Sequence, residues 1–171
     1  ASHNLYNLCI SMGIEKERIF FSPTGVSLKK FKPSVTADII RAKYNIDGPL
    51  VMYHGTLVAG HYANILIESA RILNAKGHKM QYMLIGPDRK GSFLEEMVKR
   101  YNLTEQFIFV GPVEHKDVPN YINAADIAVA CFEDNDMTRS KCPLKIPEYM
   151  ALAKPIVASN VGEVRYMLDS S

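Results

Sequence analysis

A basic loop that leads into a short helix near the end of the chain has residue types suited to binding an anion. Arg139 and Lys141 lie in the loop, and Lys145 and Pro147 open the helix. Proline favours the first turn of a helix, because its missing N–H would be unpaired there in any case. The free N–H groups and positive dipole end of a helix start attract anions such as phosphate. The loop is therefore a candidate phosphate site, with Lys145 as its central cation.

Glu148, in the same first turn, supplies the complementary chemistry. An ionised carboxylate only accepts hydrogen bonds, so it suits a pair of sugar hydroxyls such as a ribose diol. The simpler interpretation is an acidic residue that stabilises the start of its own helix. Phosphates on the loop and a diol on Glu148 would together make a nucleotide-sugar site in outline.

Alternating strand and helix patterns position this loop. Short apolar runs predict strands buried on both faces, at Ile19–Ser22, Leu50–His54, Met80–Ile85, Phe107–Val110, Ile127–Phe132 and Pro155–Ser159. Helical periodicity predicts helices around 61–76, 91–101 and 116–124. The alternation predicts an α/β fold, a Rossmann-like doubly wound parallel sheet with helices on both faces. Ligands of such sheets bind at the carboxyl ends of the strands.

Composition limits the classes of protein that need to be considered. The 171 residues are 47% hydrophobic, which is enough for one domain with a sizeable core. Twenty basic residues against eighteen acidic ones give a net charge of +2, which predicts no nucleic-acid partner. Three cysteines without metal-ligand spacing favour a reduced, cytoplasmic setting.

Five blocks of sequence, in order, resemble one family of enzymes. They are Ser140-x-x-Pro143-Leu144-Lys145-x-x-Glu148-Tyr149-Met150-Ala151 with Lys154–Ser159, Pro23–Ser27 with Phe31 and Pro33, Tyr53–Leu57 with Leu66–Ala70, Phe109–Val113, and Ala125–Ile127. This pattern resembles the retaining glycosyltransferases of the GT-B fold, family 4, also called group 1. The resemblance extends over roughly residues 19 to 168.

The resemblance implies a domain organisation and a reaction. Residues 1–18 would be a helix from the interdomain side, and 19–171 a donor-binding domain truncated at its C-terminal end. The donor would be an NDP-sugar, with UDP or GDP as the nucleotide and a hexose-type sugar. A missing N-terminal domain would hold the acceptor, which could be a sugar, a lipid or a protein glycan. No metal or other cofactor would be needed, and this fragment alone would be inactive. The full protein would be cytoplasmic, with the membrane's cytoplasmic face as a place of peripheral attachment.

Matching the family's motifs residue by residue gives a set of donor-binding candidates: Gly55, Thr56, His61, Val113, Ser140, Leu144, Lys145 and Glu148, with Arg139 and Lys141 as further phosphate candidates. Val113 would lie by the base, where its side chain could equally serve in packing. The catalytic base is not identified.

Three of these positions depart from the family pattern. Relatives usually have arginine directly after the glycine at 55 and lysine five residues later, where this chain has Thr56 and His61. Charge-assisted hydrogen bonds contribute roughly 1.5–3 kcal/mol each, so losing two would weaken diphosphate binding. Ser140 replaces a glutamate that many relatives have. Thr56 and His61 therefore leave open a non-catalytic nucleotide-sugar-binding or partner subunit. A sugar-nucleotide epimerase of the same fold is a further alternative.

Asp134 and Asp136 form a D-x-D pattern directly after a predicted strand. Such carboxylates bind Mg²⁺ or Mn²⁺ in a different class of glycosyltransferase. The pattern is very frequent, and a solvated acidic turn is the expected structure here.

Overall fold

A computed structural model describes residues 2–33, 37–57, 62–88 and 93–168. The strands are β1 (Leu50–His54), β2 (Gln81–Ile85), β3 (Phe107–Gly111), β4 (Ile127–Ala130) and β5 (Ile156–Ala158). The helices are α1 (His3–Ser11), α2 (Ala37–Lys43), α3 (Ala63–Ala75), α4 (Phe93–Arg100), α5 (Val118–Ala124), α6 (Asp136–Ser140), α7 (Lys145–Ala151) and α8 (Val164–Leu168).

The five strands form one parallel sheet in the order β3-β2-β1-β4-β5. This is the 3-2-1-4-5 order of doubly wound sheets, and it confirms the predicted Rossmann-like α/β class. The order reverses between β1 and β4, so a crevice is expected at the carboxyl ends of these two strands.

Each face of the sheet has its own hydrophobic core. Successive side chains of a strand point to opposite faces, so Met52 of β1 packs with Ile122 and Ile146 in one core. Its neighbour Tyr53 packs with Leu66 and Ile67 of α3 in the other. Because both faces are covered, the strands are apolar runs rather than alternating ones.

The predicted strand at Ile19–Ser22 is wrong. These residues lie outside the sheet, and Phe20 is 91% exposed, so the run is not buried on both faces as a central strand would be. Helices α2 and α6 were not anticipated. Among the described residues, no helix is both long enough and apolar enough to span a bilayer.

Candidate functional site

Lys145 is the first residue of α7, and its ammonium lies in the crevice between β1 and β4. Its Nζ is 3.8 Å from the ring centroid of Tyr53 at the end of β1. It is 5.7 Å from the ring of Phe132, which follows β4. In the described part of the chain, no carboxylate lies within ion-pair distance of this ammonium. A desolvated cation that lies against aromatic rings and has no counter-charge in contact is suited to binding an anion.

The pKa of Lys145 reflects this environment. Burial, with a smaller contribution from the positive charge of Lys141, lowers the pKa of Lys145 from 10.5 to about 8. The ammonium is therefore largely charged at neutral pH, at a cost in stability that a bound anion would remove.

Two glycines let the neighbouring loops approach each other and Lys145. A Cβ on Gly55 would lie 3.0 Å from Lys145 Nζ, and a Cβ on Gly86 only 1.7 Å from the carbonyl oxygen of Gly55. Both have positive φ, +143° and +147°. The Gly55 N–H donates to the Ile85 carbonyl at 2.8 Å. The space beside the ammonium thus exists because these two loops have no side chains there.

Glu148 lies buried on the same helix, held by two imidazoles. His54 Nε2 is 2.8 Å from one carboxylate oxygen and His115 Nε2 is 3.0 Å from the other. Burial acts to raise the pKa of Glu148, but the hydrogen bonds from His54 and His115 outweigh it, and the net shift is downward. Glu148 is therefore ionised at neutral pH, and each oxygen keeps a lone pair for a ligand hydroxyl.

His54 connects this carboxylate to the core. Burial lowers the pKa of His54, so its ring is neutral near pH 7. Since a carboxylate can only accept, Nε2 carries the hydrogen and Nδ1 accepts from the Tyr149 hydroxyl at 2.9 Å. The Val129 carbonyl lies at a longer 3.3 Å from that hydroxyl. The resulting Tyr149–His54–Glu148 chain of hydrogen bonds holds the carboxylate in one orientation.

Sequence analysis missed both histidines. The available signal for His54 was a polar residue ending an apolar strand at the carboxyl edge of the sheet. His115 gave no comparable signal, because it lies in a loop after β3 and meets Glu148 only through the fold.

Two of the phosphate-loop candidates are engaged elsewhere. Arg139 donates to both carboxylate oxygens of Asp134, at 2.6 and 3.1 Å. Ser140 Oγ accepts from Asn4 at 2.7 Å, and its carbonyl accepts from Ser2 Oγ at 2.9 Å. Arg139 is thus held by the acidic turn before α6, and Ser140 by residues at the start of α1. Lys141 makes no ion pair with the described residues, which leaves it available beside Lys145.

The remaining candidates vary in their position. Leu144 is exposed at the start of α7, and Thr56 directly follows Gly55. Val113 packs against the core as a half-buried side chain. His61 lies outside the described residues, so its predicted role stays a prediction.

The D-x-D segment is part of a helix start. Asn135 caps α6 through a reciprocal pair of hydrogen bonds with Thr138, and Asp136 is the first helical residue. Asp134 is paired with Arg139. Across the described ranges, no cluster of three or more His, Cys, Asp or Glu side chains could hold a metal ion.

Curated proteins that resemble the chain are sugar transferases. An alpha-D-kanosaminyltransferase of Streptomyces kanamyceticus is 24% identical over 131 residues, which are 76% of this chain and 33% of that protein. A mannosylfructose-phosphate synthase of Agrobacterium fabrum is 24% identical over 127 residues, 68% of this chain and 28% of that protein. The chain thus spans a third or less of the length of these relatives.

Solved structures share the fold over nearly the whole chain. A glycosyltransferase from Rickettsia africae matches 98% of this chain and 45% of its own, with a TM-score of 0.81 and 15% identity. HepE from Anabaena, solved in complex with UDP, matches 94% of this chain and 44% of its own, with a TM-score of 0.73 and 19% identity. At such identities the likeness shows the fold alone.

The signature of one family, Glycosyl transferases group 1, matches residues 48–171. That range includes the glycine loops, Lys145 and Glu148. The chain therefore belongs to the group 1 glycosyltransferases, and its parallel sheet is a Rossmann-like domain of the GT-B fold.

Proposed function

We propose that this domain binds the nucleoside diphosphate of a sugar donor and is the donor-binding half of a hexosyltransferase. The observation that carries the proposal is the desolvated Lys145 ammonium, which lies against the rings of Tyr53 and Phe132 at the crevice between β1 and β4 and has no ion-pair partner among the described residues. The donor diphosphate would supply its missing counter-charge. HepE was solved with UDP and with UDP-glucose, which supports UDP as the first nucleotide to test.

The residues have separate tasks in this proposal. Transfer breaks the bond between the anomeric carbon and the diphosphate, and negative charge grows on the leaving oxygen. Lys145 and the free N–H groups at the start of α7 stabilise that charge, because fixed dipoles in a dry site need no reorganisation. Glu148 binds the ribose hydroxyls, and Tyr149 and His54 keep its carboxylate in place.

Other parts of the proposal rest on the family resemblance. They are transfer with retention of configuration, independence from metal, and an acceptor held mainly by a second domain. A cytoplasmic location with peripheral membrane attachment is proposed on the same basis. We propose that the chain by itself does not sustain sugar transfer.

A second candidate is a non-catalytic partner subunit of the same fold, in which the nucleotide-sugar site is disabled. It is favoured by Thr56, which adjoins the glycine loop without supplying the cation that relatives have there. Restoring that cation with Thr56→Arg would strongly raise donor affinity if the native site were disabled. If Lys145 is sufficient as the cation of the donor site, the native chain binds the nucleotide without the Thr56→Arg substitution.

Calorimetric titration with UDP, GDP and ADP, each with and without EDTA, tests the proposal. We expect one nucleotide to bind, with an affinity that EDTA does not change. Lys145→Met should weaken the affinity for this nucleotide by about 10- to 150-fold, the equivalent of one charge-assisted hydrogen bond. Lys99→Met is the matched control, because it removes the same charge from an exposed position on α4. Equal affinity in the native chain and Lys145→Met would contradict the proposal, and no binding of any nucleotide would favour the second candidate.

A further inference from the structure

A separate cavity borders α6, and neither Lys145 nor Glu148 is among its lining residues. It has a volume of about 340 Å³, within the usual range of small-molecule sites. Its walls come from the start of α1, from α6, and from the loop and helix that follow β5. The residues that matter to its chemistry are His3, Asn7, Asp134, Asn160, Arg165 and Tyr166.

His3 in the cavity wall contacts a buried carboxylate, that of Glu163. Glu163 is only 4% exposed. Its carboxylate accepts from the backbone N–H of His3 at 2.8 Å and lies 3.0 and 3.1 Å from His3 Nδ1. The backbone contact anchors the start of α1, and the side-chain contact orients the imidazole.

The orientation determines which ring nitrogen is available. With a hydrogen on Nδ1 directed at Glu163, the neutral form of the ring has an unprotonated Nε2 on its opposite edge. No partner for Nε2 occurs in the part of the chain that the structure describes. The side chain of His3 is 43% exposed and forms part of the cavity wall. Nε2 is therefore an open hydrogen-bond acceptor.

Aromatic rings keep the imidazole in place. Its centroid is 4.1 Å from Tyr166, in a stacked arrangement, and 4.5 Å from Phe21. With the ring held by two aromatic contacts and a buried carboxylate, His3 has little freedom to turn. A fixed acceptor of this kind suits a ligand hydroxyl whose position must be defined.

The charges around the cavity favour a neutral ligand. Arg139 is paired with Asp134, and Arg165 lies over the Tyr166 ring and donates to its hydroxyl at 2.7 Å. Asn7 and Asn160 offer amides, which donate and accept at once, as vicinal hydroxyls do.

The cavity is connected to the proposed donor site through Ser140. This residue receives hydrogen bonds from Ser2 and Asn4 on the cavity side. Only four residues separate it from Lys145 on the donor side. A ligand in the cavity would thus lie beside the loop that holds the donor phosphates.

We propose that this cavity binds a neutral, polyhydroxylated sugar as the acceptor, with one of its hydroxyls donating to His3 Nε2. The inference rests on the proposed donor function. It adds that this chain contributes an acceptor subsite, so that the acceptor is not held by a second domain alone.

Nuclear magnetic resonance of the chain with ¹⁵N-labelled histidine tests the donor site and the acceptor subsite separately. His54 and His115 report on the donor site, and His3 reports on the cavity. We expect UDP to shift the signals of His54 or His115. We expect at least one of the methyl glycosides of glucose, galactose and mannose to shift His3 Nε2 when UDP is present. The His3 nitrogen shifts should show the tautomer with hydrogen on Nδ1.

Two substitutions separate binding from anchoring. His3→Asn keeps an N–H near the Nδ1 position for Glu163 but has no second nitrogen, and should weaken the glycoside about three- to tenfold. UDP affinity should stay unchanged. Asn7→Ala should also weaken the glycoside without moving the Glu163 contact.

The outcomes are distinct. If UDP shifts His54 or His115 but no glycoside shifts His3, the acceptor subsite is wrong and the donor function stands. The subsite is also wrong if His3 carries its hydrogen on Nε2, or if His3→Asn binds the glycoside as tightly as the native chain. If UDP shifts no histidine, the proposed donor function fails first.

Discussion

Two buried glutamates near the carboxyl edge of the sheet, Glu148 and Glu163, are each paired with histidine in opposite ways. Around Glu148, the imidazole of His54 has its second nitrogen turned inward, onto Tyr149. Around Glu163, the imidazole of His3 lines a cavity, and its second nitrogen has no partner among the described residues. The same pair of residue types therefore exposes a carboxylate in the first region and an imidazole nitrogen in the second.

The difference shows that residue type alone does not assign a role. A buried group whose every polar atom has a protein partner supports its neighbours, and the atom left without one is available to a ligand. On this basis His54 is a positioning residue for Glu148, whereas Glu163 is a positioning residue for His3. Substitutions that affect one region and spare the other test the distinction.

The largest expected effect comes from the glycine that lets the donor-side loops meet. Gly86→Ala would place a Cβ 1.7 Å from the Gly55 carbonyl oxygen at a φ of +147°. We expect it to lower the free energy of unfolding by about 3 kcal/mol or more and to abolish UDP binding. Urea unfolding and calorimetric titration measure the two effects.

The counterpart in the second region is Gly162→Ala, whose Cβ would lie 2.7 Å from Arg139 Cα. It should disturb the cavity and leave UDP binding intact. Gly25→Ala is the control, because a Cβ there meets no atom within 4 Å. Loss of UDP binding in Gly162→Ala to the extent seen in Gly86→Ala would show that the two regions are one unit.

The next effect is a pH dependence that only the donor region should show. The pKa of Lys145 is about 8 in the folded chain and 10.5 when exposed. Between these values the unfolded chain binds more protons, so stability should rise as pH increases from 8 to 10.5. A shift of this size corresponds to a rise of about 3 kcal/mol. UDP affinity should fall over the same range, because the ammonium loses its charge.

Urea unfolding of the native chain and Lys145→Met at several pH values between 7 and 10.5 isolates this contribution. Lys145→Met lacks the titrating ammonium. The difference between its unfolding free energy and that of the native chain should therefore shrink as pH rises above 8. Lys99→Met, on the exposed side of α4, should follow the native curve. Parallel curves for the native chain and Lys145→Met would mean that the ammonium is not desolvated.

Much of the donor side could be predicted from sequence, since its signals are local. The apolar runs predicted β1 to β5, and the helix start at Lys145 with Glu148 in its first turn was recognised from four consecutive positions. The prediction of a strand at Ile19–Ser22 was wrong, because an apolar run does not show whether a neighbouring strand is available to pair with it.

The histidine partners of both carboxylates are non-local, and sequence analysis missed them for that reason. His54 and His115 reach Glu148 from the ends of β1 and β3, which are 94 and 33 residues away along the chain. His3 reaches Glu163 from 160 residues away. Sequestration of Arg139 by Asp134 depends on α6, a five-residue helix too short to give a periodic pattern.

A smaller effect should follow loss of the inner support of Glu148. His54→Phe would leave a buried carboxylate oxygen and the Tyr149 hydroxyl without their shared partner, at a cost of about 1–3 kcal/mol. The native chain should bind UDP more tightly than 2′-deoxy-UDP. His54→Phe should reduce this ratio of affinities, because the Glu148 carboxylate is no longer held in place. His54→Gln restores a donor toward Glu148, and should recover that selectivity better than His54→Phe.

The same substitution has a pH signature. The folded pKa of His54 lies below its usual 6.5, so the unfolded chain takes up a proton first as pH falls through that value. The native chain should therefore lose stability below about pH 6.5, and His54→Phe should lose less over that range. An acid profile identical in both would show that folding does not lower the pKa of His54.

The smallest effect is expected at the outer support. The side chain of His115 is 64% exposed, so water can replace its hydrogen bond to Glu148 when the ring is removed. His115→Ala should cost less than about 1 kcal/mol, and change UDP affinity less than His54→Phe does. If His115→Ala lowers the unfolding free energy as much as His54→Phe does, the two imidazoles support Glu148 equally. Burial would then not distinguish a positioning residue from a peripheral one in this site. If the effect is small, the inner hydrogen-bond chain through Tyr149 is sufficient to orient Glu148, and the side on which His115 lies is where a ribose hydroxyl can take its place.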